Sequence, residues 1–173
     1  MKPITLEWID KAEWDFLSAR RELRVRNGPN CDLVCFLSPQ CADKYLKARL
    51  VEAGVRFPKI HNLTALLKLV LPVEPRLVGL RVPLASLNPY AVEFRYPGDT
   101  STKEDAHAAL ANCRAVRIEV RKCLGLDEPP TGQMKLSVAK ETDQDWSNIC
   151  FYISPIGDEG SEHRIHADLF LGS

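Results

Sequence analysis

Charged side chains flank the apolar face of one predicted helix, in the stretch from Cys31 to Gly54. Apolar residues recur there at helical spacing, at positions 42, 46, 50 and 53. Four charged residues lie beside that stripe, namely Asp43, Lys44, Lys47 and Arg49. A long helix with a polar seam suits the middle of a bundle. It is also a candidate for one wall of a site between two helices.

A second polar group stands where the chain turns after an apolar segment. Arg95 and Tyr96 precede a Pro-Gly turn, and Asp99 follows it. A guanidinium and a phenol are therefore expected at the rim of the helical region. Arginine binds phosphate through two parallel hydrogen bonds, so Arg95 is a candidate phosphate ligand. Its structural alternative is an ion pair with Asp99 or with Asp43.

His61 stands at the entrance to a short predicted helix. Histidine is the side chain best suited to gain or lose a proton near neutral pH, so it is a candidate for acid–base chemistry. A histidine in this place also serves as a cap or a packing residue, and both interpretations stay open.

Six cysteines stand at positions 31, 35, 41, 113, 123 and 150. They form no C-x-x-C pair, and no histidine lies at zinc-ligand spacing from them. We expect free thiols that act as small apolar residues, with no metal and no cofactor.

Composition and charge limit the kinds of binding partner that the sequence predicts. No apolar run reaches the roughly 20 residues of a membrane span, and the N-terminus lacks the apolar segment of a secretory signal. We therefore expect a cytoplasmic protein with no membrane partner. Residues 1–125 carry 20 Lys and Arg against 14 Asp and Glu, whereas residues 126–173 carry 3 against 9. A basic part followed by an acidic tail indicates two units, and the basic part is compatible with phosphate-bearing partners.

Helical periodicity fills the first 125 residues and predicts an all-α fold. One helix is expected from about Leu6 to Arg26 with Thr5 as its N-cap. The second covers the Cys31–Gly54 stretch, where Pro39 predicts a kink or a break near Ser38. A short helix from Leu63 to Val70 and short pieces between Arg76 and Tyr96 follow. A long last helix follows the predicted capping box Ser101-Thr102-Lys103-Glu104 and ends at Leu124.

The pattern changes after residue 125. Residues 126–146 are polar and contain prolines, which is typical of a linker. Residues 149–153 form a continuous apolar run, typical of a buried parallel strand, and a loop follows it. The predicted domains are a helical bundle over residues 1–125, the linker, and an incomplete α/β unit over residues 147–173.

Residues spread through the first part resemble the HEPN family of small helical domains. The matching pieces are Trp8, Ala12 and Asp15, then Cys35-Phe36, Gln40 and residues 43–48, then residues 58–63, and finally Arg95-Tyr96-Pro97 with Asp99. The resemblance implies an up-and-down antiparallel bundle of four to five helices with an extended C-terminal tail. It also implies a homodimer in a defence or toxin–antitoxin-like system. A site for nucleotide or RNA is implied, with ligand-binding residues Lys44, Lys47, Arg95, Tyr96 and Asp99.

HEPN nucleases carry an arginine followed four to six residues later by a histidine that together cleave RNA without metal. The first histidine after Arg95 is His107, twelve positions on and in a different predicted helix. The main hypothesis is therefore a binding and dimerisation module with no assigned catalytic residue. A ribonuclease in which His61 or His107 approaches Arg95 in space is the alternative.

Residues 150–162 resemble the opening of a TIR-like domain related to nucleoside deoxyribosyltransferases. The resemblance implies that Ser154, Pro155 and Gly157 belong to a nucleotide-binding loop, the position expected in an open α/β sheet. It implies a third hypothesis, in which the helical part regulates a TIR-like effector that processes NAD or another nucleotide. The catalytic glutamate of such domains lies further on than the residues present here.

Overall fold

The computed structural model describes residues 1–91 and 100–126. The chain divides into two units, Met1–Gly132 and Gln133–Ser173, and the described residues all belong to the first. Within them the regular structure is entirely helical, which confirms the predicted all-α fold. The helices are α1 (Pro3–Glu22), α2 (Cys31–Ala53), α3 (Leu63–Val70), α4 (Arg81–Leu87) and α5 (Lys103–Cys123), with short 3₁₀ helices at Pro75–Leu80 and Pro89–Ala91.

Long-range contacts fix the directions of the helices. The start of α1 meets the end of α2, where the Thr5 hydroxyl donates to the Glu52 carboxylate over 2.8 Å, so these two helices are antiparallel. The start of α2 meets the start of α5, where Asp32 accepts from the Ser101 backbone N–H over 2.6 Å. Helices α2 and α5 are therefore parallel, and α2 lies against α1, α3, α4 and α5.

The core forms around α2, whose inner face is fully buried. Val34, Cys35, Ala42, Leu46 and Leu50 have no exposed surface. The inner face of α5 is buried as well, at Ala106, Ala109, Cys113, Val116 and Val120. Burial of each large aliphatic side chain contributes about 1.5–3 kcal/mol, so this central packing dominates the stability of the bundle.

A kink or a break was predicted near Ser38. Helix α2 is continuous through Pro39, so the break is wrong, whereas the kink stays a prediction. A proline inside a helix costs about 3 kcal/mol through its missing hydrogen bond and its ring. Pro39 is itself buried, between the fully buried Cys35 and Cys41. A break would withdraw these residues from the core, so the free energy of their burial opposes the cost of the proline. Ser38 bonds within the helix, because its hydroxyl donates to the Val34 carbonyl over 2.8 Å.

The predicted start of the first helix is wrong by one turn. Helix α1 begins at Pro3, with Lys2 as its N-cap residue. Proline suits the first helical position because its fixed φ is helical and that N–H has no helical partner. Thr5, predicted as the N-cap, is buried instead.

The predicted end of the first helix is wrong as well, because α1 ends at Glu22 and not at Arg26. The ends of α2, α3 and α5 lie within about one residue of the predictions. Helix α3 spans the predicted Leu63–Val70 and is capped by Asn62, whose side chain accepts from the Ala65 N–H over 2.9 Å. Thr102 and Asp105 form the capping box of α5. Gly54 ends α2 with a φ of 72°, a left-handed conformation that glycine adopts at little cost.

Several predictions fall outside the described residues. These are the Arg95, Tyr96 and Asp99 group, the linker, the strand at residues 149–153, and the loop residues Ser154, Pro155 and Gly157. The predicted domain boundaries stay predictions. In residues 1–91 and 100–126, no helix combines the length and apolar character required to cross a membrane.

Candidate functional site

A charged cluster lies where α2 meets the loop that leads into α3. Asp43 and Lys47 are one helical turn apart on α2, and the Lys47 ammonium contacts the Asp43 Oδ2 atom at 2.7 Å. His61, just before the N-cap of α3, places its Nδ1 atom 3.4 Å from Asp43 Oδ1. Lys47 also lies over the ring of Trp8 from α1, 5.8 Å from its centroid. We call these four residues the Asp43 cluster.

Burial within the Asp43 cluster is uneven. The side chains of Asp43 and Lys47 are each 6% exposed, whereas the His61 side chain is 71% exposed. The cluster therefore consists of a buried ion pair with an imidazole above it that reaches solvent. Among the described residues, the Oδ1 atom of Asp43 has no hydrogen-bond partner. A buried carboxylate oxygen in that state costs about 1–3 kcal/mol or more.

Lys44, the other predicted lysine, forms an ion pair with α1. Its ammonium lies 2.5 Å from the Asp15 Oδ2 atom, and both side chains are about four-fifths buried. Burial raises the pKa of Asp15, Lys44 opposes that rise, and the negative charge of Asp43 adds to it. Asp15 and Asp43 thus neutralise the charges of Lys44 and Lys47. The exposed cations lie on the loop between α2 and α3.

The exposed charge beside the cluster comes from the loop between α2 and α3. Arg56 and Lys59 are both exposed, as is His61. Two cations and an imidazole within six residues suit contact with a phosphate backbone. Sequence reasoning missed Arg56, although it precedes His61 by five positions. Arg56 and His61 have the Arg–His spacing described for HEPN nucleases, but the sequence was searched for that spacing only from Arg95.

A second buried group, the Glu13 network, joins α1, α2 and α5. The Arg117 guanidinium donates to both carboxylate oxygens of Glu13, over 2.7 and 2.8 Å. The Tyr45 hydroxyl donates to the same carboxylate, and Arg121 approaches it at 3.3 Å. Arg117 also stacks on Phe16, 4.7 Å from the ring centroid. The Glu13 network comprises Glu13, Tyr45, Arg117 and Arg121.

The charged groups of the Glu13 network are paired with one another inside the bundle, which favours a structural role. Burial opposes ionisation of Glu13, but the bonds from Arg117 and Tyr45 and the charge of Arg121 outweigh it and hold its pKa below the usual value. Burial, and then the charge of Glu13, raises the pKa of Tyr45. Because Glu13 is only 1% exposed, the network presents little surface to a ligand.

Sequence reasoning also missed the Glu13 network, although a signal was available. Glu13 lies within the apolar seam of α1, next to Ala12 and before Phe16. Arg117 lies likewise between Val116 and Val120 of α5. Opposite charges at core positions of two helices indicate a buried pair, because an isolated buried charge is too costly.

The structure brings some of the predicted site residues together and not others. His61 and Lys47 share the Asp43 cluster, and Lys44 lies one turn away with Asp15. His107 is exposed on α5, and no contact within the described residues brings it to the cluster. Arg95, Tyr96 and Asp99 lie outside the described residues, so their place in the site stays a prediction.

The cysteines follow the expectation of free thiols. Cys35, Cys41 and Cys113 are buried and Cys31 and Cys123 half-buried, all without a disulfide. Burial, and then its neighbour Cys113, raises the pKa of Cys41 well above the ordinary value. Cys150 lies outside the described residues.

A helical bundle with a charged seam along its second helix defines a small domain of the kind that the sequence resembles. The sequence model of the HEPN domain matches residues 5–123. The crystal structure of ST0689, an archaeal HEPN homologue, superposes with a TM-score of 0.58 at 26% identity, over 72% of this chain and 99% of that one. A search of curated proteins found no significant match. The chain belongs to the HEPN family.

Proposed function

We propose that this HEPN domain binds a nucleotide or RNA at the Asp43 cluster and the adjoining loop. The observation that supports the proposal is the exposed His61 above the buried Asp43–Lys47 pair, on a loop that also exposes Arg56 and Lys59. Arg56 and Lys59 would contact phosphate oxygens of the ligand, and the imidazole of His61 would contact a group that lies between two phosphates. Arg95 and Tyr96, outside the described residues, stay predicted ligands, as the resemblance implies.

In this proposal Lys44 and Lys47 of α2 do not contact phosphate directly. Lys44 and Lys47 are held by Asp15 and Asp43. A ligand phosphate would have to displace a buried carboxylate to reach either ammonium, which leaves that carboxylate uncompensated. Lys47 instead holds Asp43 in place below His61.

Fluorescence anisotropy with a labelled single-stranded RNA tests the proposal. The double variant Arg56→Gln/Lys59→Gln removes two phosphate contacts, so the slope of log affinity against log salt should fall by about 1.4, at about 0.7 per contact on a single strand. Arg95→Ala should weaken binding as well. The matched control is Lys68→Gln/Arg114→Gln, which removes two exposed cations from α3 and α5.

Two results would refute binding at this surface. One is an unaltered protein that binds neither nucleotides nor RNA. The other is a control variant that loses as much affinity as the loop variant, because the loss would then reflect overall charge alone.

Ribonuclease activity is the second candidate, favoured by the spacing of Arg56 and His61. Both are exposed on one loop, where a guanidinium could stabilise a phosphate while the imidazole transfers a proton. Incubation with tRNA and mRNA should yield fragments that disappear with His61→Ala and persist with His107→Ala. Intact RNA at micromolar protein would exclude this candidate.

The wider context of the proposal is a homodimeric module of a defence or toxin–antitoxin-like system. Light scattering coupled to size exclusion gives the mass of the particle, and a monomer at micromolar concentration would remove the dimer from the proposal. Regulation of a TIR-like effector rests on residues 147–173, outside the described residues, and stays a prediction.

A further inference from the structure

The Nδ1 atom of His61 lies beside two side chains that require opposite protonation states of it. The Nδ1 atom of His61 lies 3.4 Å from the Lys47 ammonium and 3.4 Å from Asp43 Oδ1. Lysine only donates, whereas a carboxylate only accepts. Nδ1 must therefore lack a proton to accept from Lys47, or carry one to donate to Asp43.

The other contacts of Lys47 and of Asp43 decide whether Nδ1 carries a proton. Lys47 already has Asp43 Oδ2 at 2.7 Å and the Trp8 ring below it, so it stays paired without its contact to Nδ1. The two contacts of Nδ1 are equally long, at 3.4 Å, but Asp43 Oδ1 has no hydrogen-bond partner within the described residues. Its side chain is only 6% exposed, so bulk water does not compensate. A proton on Nδ1 removes the larger penalty.

We propose that Asp43 is a positioning residue that holds neutral His61 as the Nδ1–H tautomer. The hydrogen bond made by one ring nitrogen sets the state of the other, so Nε2 is then unprotonated. Because the imidazole is 71% exposed, Nε2 offers an acceptor to a ligand. It takes a hydroxyl group, and the 2′-hydroxyl is the donor that distinguishes RNA from DNA.

The ligand half of this inference rests on the proposed function, and the tautomer half does not. Two-bond ¹H–¹⁵N correlation spectra of the unaltered protein, at a pH where histidine is neutral, show which ring nitrogen carries the proton. His61 should show Nδ1–H, and the exposed His107 serves as the internal reference. A spectrum in which His61 carries its proton on Nε2 overturns the proposal without any variant.

Asp43→Asn provides the second test. The buried Lys47 ammonium still requires an oxygen, so the new amide turns its oxygen to Lys47 and its NH₂ to His61. That NH₂ donates to Nδ1, and His61 should switch to the Nε2–H tautomer. A folded variant that keeps the Nδ1–H form would contradict the assigned role of Asp43, and Lys47→Met, which retains Asp43, should keep that form.

Binding measurements test the hydroxyl contact. Anisotropy with the ribo and deoxyribo forms of one oligonucleotide should favour RNA about fivefold, the ratio that one hydrogen bond of about 1 kcal/mol supplies. Asp43→Asn should bring that ratio close to one and His107→Ala should leave it unchanged. Equal affinity of the unaltered protein for both forms overturns the hydroxyl contact. Absence of all binding refutes that contact together with the proposed function, whereas the tautomer is judged by the spectra alone.

Discussion

Removal of Arg117 tests the idea that the Glu13 network joins the three long helices. Arg117→Met keeps most of the side-chain volume but removes both hydrogen bonds to Glu13, at 2.7 and 2.8 Å. A buried charge that loses its partner costs about 3–5 kcal/mol. Because Arg121 still lies 3.3 Å from the carboxylate, we expect a loss near the lower end, about 3 kcal/mol.

Urea denaturation followed by circular dichroism measures this loss. Small proteins unfold with slopes of about 1–3 kcal/mol per molar urea, so a cost of about 3 kcal/mol lowers the midpoint by at least about 1 M. Arg114→Met, an exposed position on the same helix, is the matched control and should stay within about 0.5 kcal/mol of the unaltered protein.

The pH dependence separates the loss of an ion pair from the loss of packing. In the unaltered protein the pKa of Glu13 is lowered, so the contribution of Glu13 is complete above its unfolded pKa of about 4.3 and is lost as the pH falls through the folded value. Arg117→Met removes the bonds from Arg117 that lower the pKa of Glu13 but leaves its burial unchanged. We therefore expect a higher pKa of Glu13 in the variant and a smaller loss of stability as the pH falls. The difference between the two proteins should therefore shrink toward acidic pH.

A double-mutant cycle supplies the refutation. Glu13→Gln/Arg117→Met replaces the charged pair with neutral side chains of similar size and should cost less than Arg117→Met alone, because no buried charge remains. A cost below about 1 kcal/mol for Arg117→Met, or a double variant less stable than either single one, would show that the network does not act as a buried ion pair.

Three further predictions address other parts of the bundle. Asn62→Ala removes the N-cap of α3 and should cost about 1 kcal/mol in thermal or urea unfolding, whereas Asn27→Ala, on an exposed turn, should cost less. The raised pKa of Tyr45 means that the unfolded chain loses that proton first, so stability should fall as the pH rises above about 10; Tyr45→Phe should flatten that fall, and an unchanged profile would contradict the burial of the phenol. A thiol reagent should modify the half-buried Cys31 and Cys123 before the three buried cysteines, and mass spectrometry that finds Cys41 or Cys113 modified in the native protein would count against the packing of α2 on α5.

The fold was largely predictable because helical periodicity and capping are local. The spacing of apolar residues and the turn signals located α3 and α5 to within about a residue, and the resemblance identified the family. The start of α1 was misplaced because Thr5 is a good N-cap by residue type, yet its hydroxyl bonds to Glu52 at the far end of α2. Of the predicted kink or break at Pro39, the break was wrong. The local cost of the proline was visible in the sequence, whereas the burial of Pro39 and its neighbours in the core was not.

The candidate site was predicted only in part. The charges beside the stripe of α2 pointed to Lys44 and Lys47, but their ion pairs with Asp15 and Asp43 depend on how α1 lies against α2. The location of His61 above Asp43 depends on the path of the loop before α3. The sequence provides the residue types. Whether Asp43 and His61 act together depends on the distance between α2 and the loop before α3, which the sequence does not show.

The sequence alone determined where this chain is helical, where most of its helices begin and end, and which family it belongs to. These properties follow from spacings and caps within a few residues. The tertiary structure decided which charges are neutralised in pairs, which reach solvent, and which carboxylate oxygen lies beside an imidazole. Burial changes the energy of a charge by several kcal/mol, and burial is a property of packed helices that no single stretch of sequence contains.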